Sequence, residues 1–92
     1  MKFKIKLAQS ALKDLKKLTS KVSERILKKL DFFESKPNPL KHAKKLKNSD
    51  YGTYRFRIGE YRVIFDIDNK GNIKILMILR IKHRKDIYKS DS

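Results

Sequence analysis

Three arginines spaced around a short glycine turn are the side chains of this chain best suited to chemistry. Arg55 and Arg57 precede the dipeptide Gly59-Glu60, and Arg62 follows it. Glycine in the first position is typical of a two-residue type II′ hairpin turn, and such a turn places Arg57 opposite Arg62. Arg55 shares their face of the sheet, because side chains two residues apart point to the same side of a strand. Like charges directly opposite each other destabilise a sheet, so this convergence indicates a site for a bound anion.

The anion that arginine fits best is a phosphate, because the planar guanidinium can donate two parallel hydrogen bonds to its oxygens. The alternative is that the arginines point into water from an amphipathic strand. A single arginine would favour that interpretation, whereas three on one predicted face favour the site.

The C-terminal segment adds groups that can exchange a proton or stack on a base. Histidine is a side chain that can exchange a proton near neutral pH, and His83 stands between Lys82 and Arg84. Tyr88 offers a ring for stacking and a hydroxyl that donates a hydrogen bond. A lone histidine in a basic tail is usually a surface residue. We therefore predict proton transfer by His83 only on the condition that the arginine face lies beside it.

The charge of the whole chain also favours a polyanionic partner. Lysine and arginine number 25 against 10 acids, which gives a net charge of +15. Such an excess repels itself in a folded domain, and a polyanion relieves that repulsion. Nucleic acid is the first candidate, and an anionic membrane or an acidic protein is the second. The predicted contacts to an RNA backbone are Lys44, Lys45, Lys47, Arg80, Lys82 and Arg84, and the lysine run could equally be a solvated surface.

Neither a metal nor a cofactor is predicted. Cysteine is absent, which excludes thiolate ligands and fits a reducing, cytoplasmic location. The stretch that begins at Asp66 resembles the start of a calcium loop, but Met77 stands where a bidentate glutamate is required. No glycine-rich phosphate loop or serine nucleophile motif occurs. The first residues alternate lysine with apolar side chains, which is typical of neither a signal peptide nor a membrane span.

One α+β domain over residues 1–92 must position these groups. Phe3, Ile5 and Leu7 alternate with lysines, which predicts a half-buried strand. Two amphipathic helices follow, with Ser10 and Thr19-Ser20 as the predicted N-caps. Residues 40–48 are predicted to form an exposed connector with a short helical turn. Three antiparallel strands then form a meander, with its second turn at residues 68–71. The helical hairpin is expected to pack on one face of a single sheet.

The hairpin Tyr54-Arg-Phe-Arg-Ile-Gly-Glu-Tyr-Arg-Val-Ile-Phe65 and the tail His83-Arg-Lys-Asp-Ile-Tyr88 resemble the RelE/ParE toxin superfamily. The resemblance implies a toxin that pairs with an antitoxin protein. Members of the RelE branch enter the ribosomal A site and cleave messenger RNA through attack by the ribose 2′-hydroxyl. The best-studied relatives place lysines where Arg55 and Arg57 stand, and an arginine and a tyrosine where Arg62 and Tyr88 stand. Other members use a histidine near His83.

Two other functions fit parts of the pattern. The resemblance also implies a DNA gyrase inhibitor, as in the ParE branch, which would have no need of His83 and Tyr88. A plain nucleic-acid-binding module would explain the charge but not the converging arginines. The expected partners are an antitoxin with an acidic segment, the ribosome and messenger RNA.

Overall fold

A computed structural model describes residues 2–47 and 51–86. The strands are β1 (Lys2–Leu7), β2 (Ala43–Lys45), β3 (Tyr54–Ile58), β4 (Tyr61–Lys70) and β5 (Ile73–His83). The helices are α1 (Gln9–Lys16) and α2 (Ser20–Glu34), and a 3-10 turn spans Pro39–His42. None of the helices in these residues is long and apolar enough to cross a membrane.

The strands form one five-stranded sheet in the order β1-β5-β4-β3-β2. β1 runs parallel to β5, and the other neighbours are antiparallel. The predicted α+β architecture, with a meander, an N-terminal strand and both helices on one face, is confirmed. The predicted connector is wrong in one respect, because residues 43–45 pair with β3 as an edge strand. Lysine-rich sequence is tolerated there, since charged side chains protect a sheet edge from further pairing.

An apolar stripe of α2 packs against the sheet. Ile26, Leu30 and Phe33 lie at helical spacing and are buried. The ring of Phe33 stacks on Phe56 of β3 at 4.5 Å between centroids, and Phe56 stacks on Phe65 of β4 at 4.6 Å. Burying a large apolar side chain contributes about 1.5–3 kcal/mol. This aromatic row therefore fixes which face of β3 and β4 is turned toward the helices.

One of the two predicted helix caps is confirmed and the other is wrong. Thr19 caps α2 as expected, since its hydroxyl accepts a hydrogen bond from the Val22 N–H at 3.3 Å. Ser10 does not cap α1, which begins after Ala8 with no side-chain cap. The Ser10 hydroxyl instead donates to the carbonyl of Leu79 at 2.5 Å. A bond to β5 thus replaces the local bond that the sequence suggested.

The second hairpin turn is shorter than expected. β4 continues to Lys70, which pairs with Ile73, so the turn consists of Gly71 and Asn72. Gly71 has a φ of 59°, a conformation that glycine adopts without steric penalty. The residues predicted as a four-residue turn belong to the strand as far as Lys70.

Side chains of α1 complete the edge of β5 beyond the end of β1. The pairing of β1 with β5 stops at Ile78. Past that point the Asp14 carboxylate accepts a hydrogen bond from the Ile81 N–H at 2.8 Å. It also accepts two from the Arg80 guanidinium, at 2.9 and 3.1 Å. An unpaired strand edge exposes backbone groups that must find partners, and Asp14 supplies one.

Asp14 is a nearly buried charge held in its ionised form. Burial acts to raise the pKa of its carboxyl, but the hydrogen bond from Arg80 and that from the Ile81 N–H lower it. The charges of Arg80 and Lys82 lower it further, and the resulting pKa lies below the usual value of 3.8. Ionised Asp14 therefore stabilises the fold above that usual value, and the stabilisation is lost as the pH falls through the lower pKa of the folded state.

We expect Asp14→Asn to lower the free energy of unfolding at pH 7 by about 2–3 kcal/mol. A fully buried pair would lose about 3–5 kcal/mol, and the loss is smaller here because the Arg80 side chain stays 30% exposed. The difference from wild type should shrink as the pH falls below about 4. Urea unfolding between pH 2.5 and 7 measures it, with the exposed Asp31→Asn as the control. Equal stability of wild type and Asp14→Asn at pH 7 would show that the edge of β5 does not depend on an ionised carboxylate at position 14.

Candidate anion-binding face

The hairpin register places the three predicted arginines on one face of the sheet. Arg57 pairs with Arg62, and Arg55 pairs with Ile64. Gly59 occupies the first position of the two-residue turn, with a φ of 58°. The neighbouring residues Phe56 and Ile58 belong to the core under the helices. Since side chains alternate along a strand, the arginines lie on the opposite, helix-free face.

Adjacent strands extend these arginines into two rows of basic residues. One row joins Arg57, Arg62 and Lys82 across β3, β4 and β5. The next row joins Lys44, Arg55, Ile64 and Arg80 across β2 to β5. We call the six basic residues of these rows the basic face: Lys44, Arg55, Arg57, Arg62, Arg80 and Lys82.

A bulge in β5 decides which tail residues join the basic face. Phe65 of β4 pairs with Ile78, whereas the preceding Ile64 pairs with Arg80, so Leu79 is an extra residue. An extra residue inverts the alternation of side chains beyond it. Arg80 and Lys82 consequently lie on the basic face. Without the bulge they would lie under the helices.

The same bulge carries His83 to the other side of the sheet. His83 pairs with Tyr61, and the two rings meet edge to face at 5.3 Å between centroids. Tyr61 packs against the core under the helices. The structure therefore does not bring His83 together with the arginines, which is a correction to the predicted site. Its Nδ1 accepts a hydrogen bond from the Lys85 N–H at 3.2 Å. Tyr88 lies outside the described residues.

Exposure differs among the three predicted arginines. Arg57 is exposed and Arg55 is half-buried. Arg62 is only 5% exposed, and its guanidinium donates to the carbonyl oxygens of Gly59 and Tyr61 at 3.3 and 3.2 Å. Arg62 therefore supports the turn as well as adding charge. A phosphate on this face would meet Arg57 first, with the charge of Arg62 directly behind the surface.

Two of the predicted RNA-binding arginines form ion pairs within the chain. Arg80 is bound to Asp14 on the side of α1, and these bonds also raise the pKa of Arg80. Arg84 lies at the end of the sheet, where its Nε donates to the carboxylate of Glu60 at 2.8 Å. Both are less available to a phosphate than Arg57 is. Lys44, Lys45 and Lys47 are exposed, and of these only Lys44 belongs to the basic face.

Two residues of this region were missed at the level of sequence. Asp14 could have been found, because it is an acid at helical spacing between the buried Ala11 and Leu15. Tyr51 precedes β3, and its ring lies 5.6 Å from the Arg80 guanidinium carbon and 5.2 Å from the Lys82 ammonium. No pattern in the sequence links Tyr51 to β5.

A second basic surface adjoins the first at Arg57. A groove of about 700 Å³ separates α2 from the end of β3. Arg57, Glu24 and the 43% exposed Phe32 line it. Its other basic lining residues are Lys21, Arg25, Lys28 and Lys29. The Arg25 guanidinium lies over Gly59, at 2.9 Å from the position that a Cβ would take there, and the turn itself is what requires glycine.

No cluster of three or more potential metal ligands (His, Cys, Asp or Glu) occurs among residues 2–47 and 51–86. The functional groups of the basic face are the cations of lysine and arginine, and the chemistry that they can support is the binding of an anion and the stabilisation of growing negative charge.

The fold is that of the RelE/ParE toxins. Residues 5–88 match the family model described as the ParE toxin of the type II toxin-antitoxin system parDE. The chain belongs to this family and is a toxin of a type II toxin–antitoxin system.

Similar proteins include toxins named for RelE. The chain is 30% identical over 89 residues to toxin RelG of Mycobacterium tuberculosis, covering 97% of this chain and 99% of RelG. Its fold resembles a chain of the RelBE2 toxin–antitoxin complex of M. tuberculosis, with a TM-score of 0.68 and 26% identity over 91% of this chain and all of that one. It also resembles a chain of the archaeal RelE–RelB complex of Pyrococcus horikoshii, with a TM-score of 0.62 and 28% identity over 91% and 97% of the two chains.

We expect the double variant Lys44→Ala with Lys45→Ala to weaken binding to single-stranded RNA. The slope of log affinity against log salt should fall by about one unit for each phosphate that is no longer neutralised. Fluorescence anisotropy over a range of salt concentrations measures both quantities. The matched control removes Lys13 and Lys16, two exposed lysines of α1. Unchanged affinity and slope would identify residues 44 and 45 as a solvated surface.

Proposed function

We propose that this toxin is an endoribonuclease that cleaves messenger RNA in the ribosomal A site, with no metal or cofactor in the reaction. The observation that carries the proposal is the row of Arg57, Arg62 and Lys82 on the helix-free face. Directly opposed cations oppose folding, and binding of a phosphate would offset that repulsion. Cleavage requires cations at the place where negative charge grows during the reaction.

The proposed reaction begins with attack by a ribose 2′-hydroxyl on the adjacent phosphorus. The new P–O bond forms a 2′,3′-cyclic phosphate, and the bond to the 5′-oxygen of the next nucleotide breaks. The phosphoryl oxygens carry extra negative charge in the transition state, and fixed cations stabilise it. Arg57 and Arg55 are placed to bind these oxygens, with Arg62 and Lys82 adding charge beside Arg57.

Two protons must move in this reaction. One leaves the 2′-hydroxyl, and one is delivered to the departing 5′-oxygen. Arginine cannot act as the base, because it stays protonated. His83 lies on the opposite face of the sheet, so we assign both transfers to Tyr88, where the relatives also place a tyrosine. Its hydroxyl would donate its proton to the departing 5′-oxygen and regain one from the 2′-hydroxyl.

The proposed dependence on the ribosome follows from the small number of groups on this face. Among the arginines of the basic face, Arg57 is the exposed one. Such an open sheet surface would hold a flexible RNA loosely. Correct positioning of reacting groups can account for a large part of a rate enhancement. The ribosome would supply that positioning by holding the messenger in one conformation.

The proposed partner is a cognate antitoxin with an acidic segment. Structurally similar chains come from complexes of RelE with RelB. Electrostatic complementarity to a chain of net charge +15 favours an acidic partner. The basic face and the groove beside α2 are the surfaces that such a segment would neutralise, and the exposed Phe32, Leu12 and Leu27 are available to its apolar residues.

Inhibition of DNA gyrase is the second candidate function. The family model that matches this chain is described by the ParE toxin, and the family resemblance associates that branch with gyrase. The position of His83 away from the arginines also removes one of the features that favoured a nuclease. A supercoiling assay therefore accompanies the test of cleavage.

We expect Arg57→Gln to slow cleavage of a translated message by about 100- to 1,000-fold, the usual effect of losing one preorganised donor to a transition state. Arg57 is exposed and has no core role, so the melting temperature should hardly change. Arg62→Lys should also slow cleavage. It should lower the melting temperature as well, because a lysine cannot reproduce the hydrogen bonds to the turn carbonyls. Primer extension on the message, beside thermal melting, measures both effects.

His83→Gln is the matched control on the opposite face, and its rate should equal that of wild type. Tyr88→Phe should be as slow as Tyr88→Ala if the hydroxyl transfers a proton, and faster if the ring only stacks. Wild-type protein that leaves translated messages intact and inhibits gyrase supercoiling would refute the nuclease and establish the second candidate.

A further inference from the structure

We propose that Tyr51 forms a stacking site for an unpaired nucleobase on the basic face. The site rests on the proposed function, because it assigns a position to the RNA of that reaction. Tyr51 lies shortly before β3, and its ring is held over two cations of β5, at 5.6 Å from the Arg80 guanidinium carbon and 5.2 Å from the Lys82 ammonium. A cation within about 6 Å of an aromatic ring is attracted to its face.

The backbone that follows Tyr51 is fixed against the sheet. The N–H of Thr53 donates to the Asp66 carboxylate at 2.7 Å, and the carbonyl of Thr53 accepts from the Leu46 N–H at 2.7 Å. The preceding Gly52 lies so close to Ile64 that a Cβ would come within 2.8 Å of its Cγ2. Glycine is thus required for the segment to lie against the middle of the basic face, and Tyr51 is carried by an anchored backbone.

The position of the Tyr51 ring is not explained by burial in the hydrophobic core. The core lies on the other face of the sheet, under the helices, and Tyr51 is not part of it. Tyr51 is half-buried, so part of the residue is accessible to solvent. Proteins that bind single-stranded RNA commonly combine cations along the backbone with an aromatic ring on which a base stacks. Tyr51 and the arginines of β3 supply these two elements on one surface.

The geometry of the sheet places base and phosphate at suitable positions. Arg80 and Lys82 belong to β5, whereas Arg55 and Arg57 belong to β3. Two strand spacings, about 10 Å, separate these strands. A base stacked on Tyr51 would therefore have its neighbouring phosphates near Arg55 and Arg57 on β3. Such stacking would set the register of the RNA without selecting one base strongly, because every base offers a π face.

The test uses a short single-stranded RNA that carries 2-aminopurine, a base analogue whose fluorescence is quenched by stacking. Tyr51→Leu fills similar space without an aromatic ring, and Tyr51→Phe restores the ring. We expect the leucine variant to lose the quenching and to bind RNA about 5- to 100-fold more weakly, the usual effect of removing one base stack. The slope of log affinity against log salt concentration should not change, because every cation that neutralises a phosphate remains. The phenylalanine variant should behave as wild type.

The outcomes separate this proposal from the proposed reaction. Quenching and affinity that are equal in the leucine variant and wild type would overturn the stacking site, whether or not messages are cut. Wild-type protein that quenches in a Tyr51-dependent way but cleaves no message would support the site and refute the nuclease.

Two further measurements distinguish base stacking from other roles of the ring. Thermal melting of both variants gives the structural control, because a ring that only holds its segment would lower the melting temperature in the leucine variant and leave quenching unchanged. Weaker antitoxin binding with unchanged quenching would assign Tyr51 to the protein partner. Either result would overturn the proposal.

Discussion

The two-residue turn at Gly59-Glu60 is the constraint on which the basic face depends. A slip of one residue in a hairpin moves every side chain of a strand to the other face. The left-handed conformation of Gly59 favours the absence of a side chain. With this register Phe56 joins the aromatic core and Arg57 is placed opposite Arg62. The hydrophobic core thus holds together a row of like charges that would not pair by themselves.

A second constraint acts from the other side of the sheet. The bulge at Leu79 turns Arg80 and Lys82 toward the basic face, and α1 stabilises the strand where it occurs. Ser10 binds the carbonyl of Leu79, and Asp14 binds the Ile81 N–H and Arg80. Since a bulge leaves the ladder of hydrogen bonds locally incomplete, these polar interactions keep it in one form. The helical hairpin therefore contributes to the site without contributing a residue to its surface.

The sequence allowed the central part of the basic face to be predicted, because glycine turn chemistry and strand alternation act locally. The arginine hairpin, the order of the elements and the N-cap at Thr19 follow from such patterns. The face of His83 could not be predicted, since the bulge at Leu79, opposite Ile64 and Phe65, has no signature in the local sequence. The strand at residues 43–45 was missed because its lysines show no apolar alternation. Its formation depends on the edge that β3 offers.

The central claim is that the arginine row exists for a bound anion and opposes folding. Threonine at position 57 would replace a like charge with a neutral residue that suits a strand, so unfolding of Arg57→Thr in urea tests the claim directly. The variant should be as stable as wild type, or up to about 1 kcal/mol more stable, at low salt. The difference should narrow as salt screens the repulsion. A variant that is less stable than wild type by more than about 1 kcal/mol would contradict the account, because Arg57 would then be part of what holds the fold together.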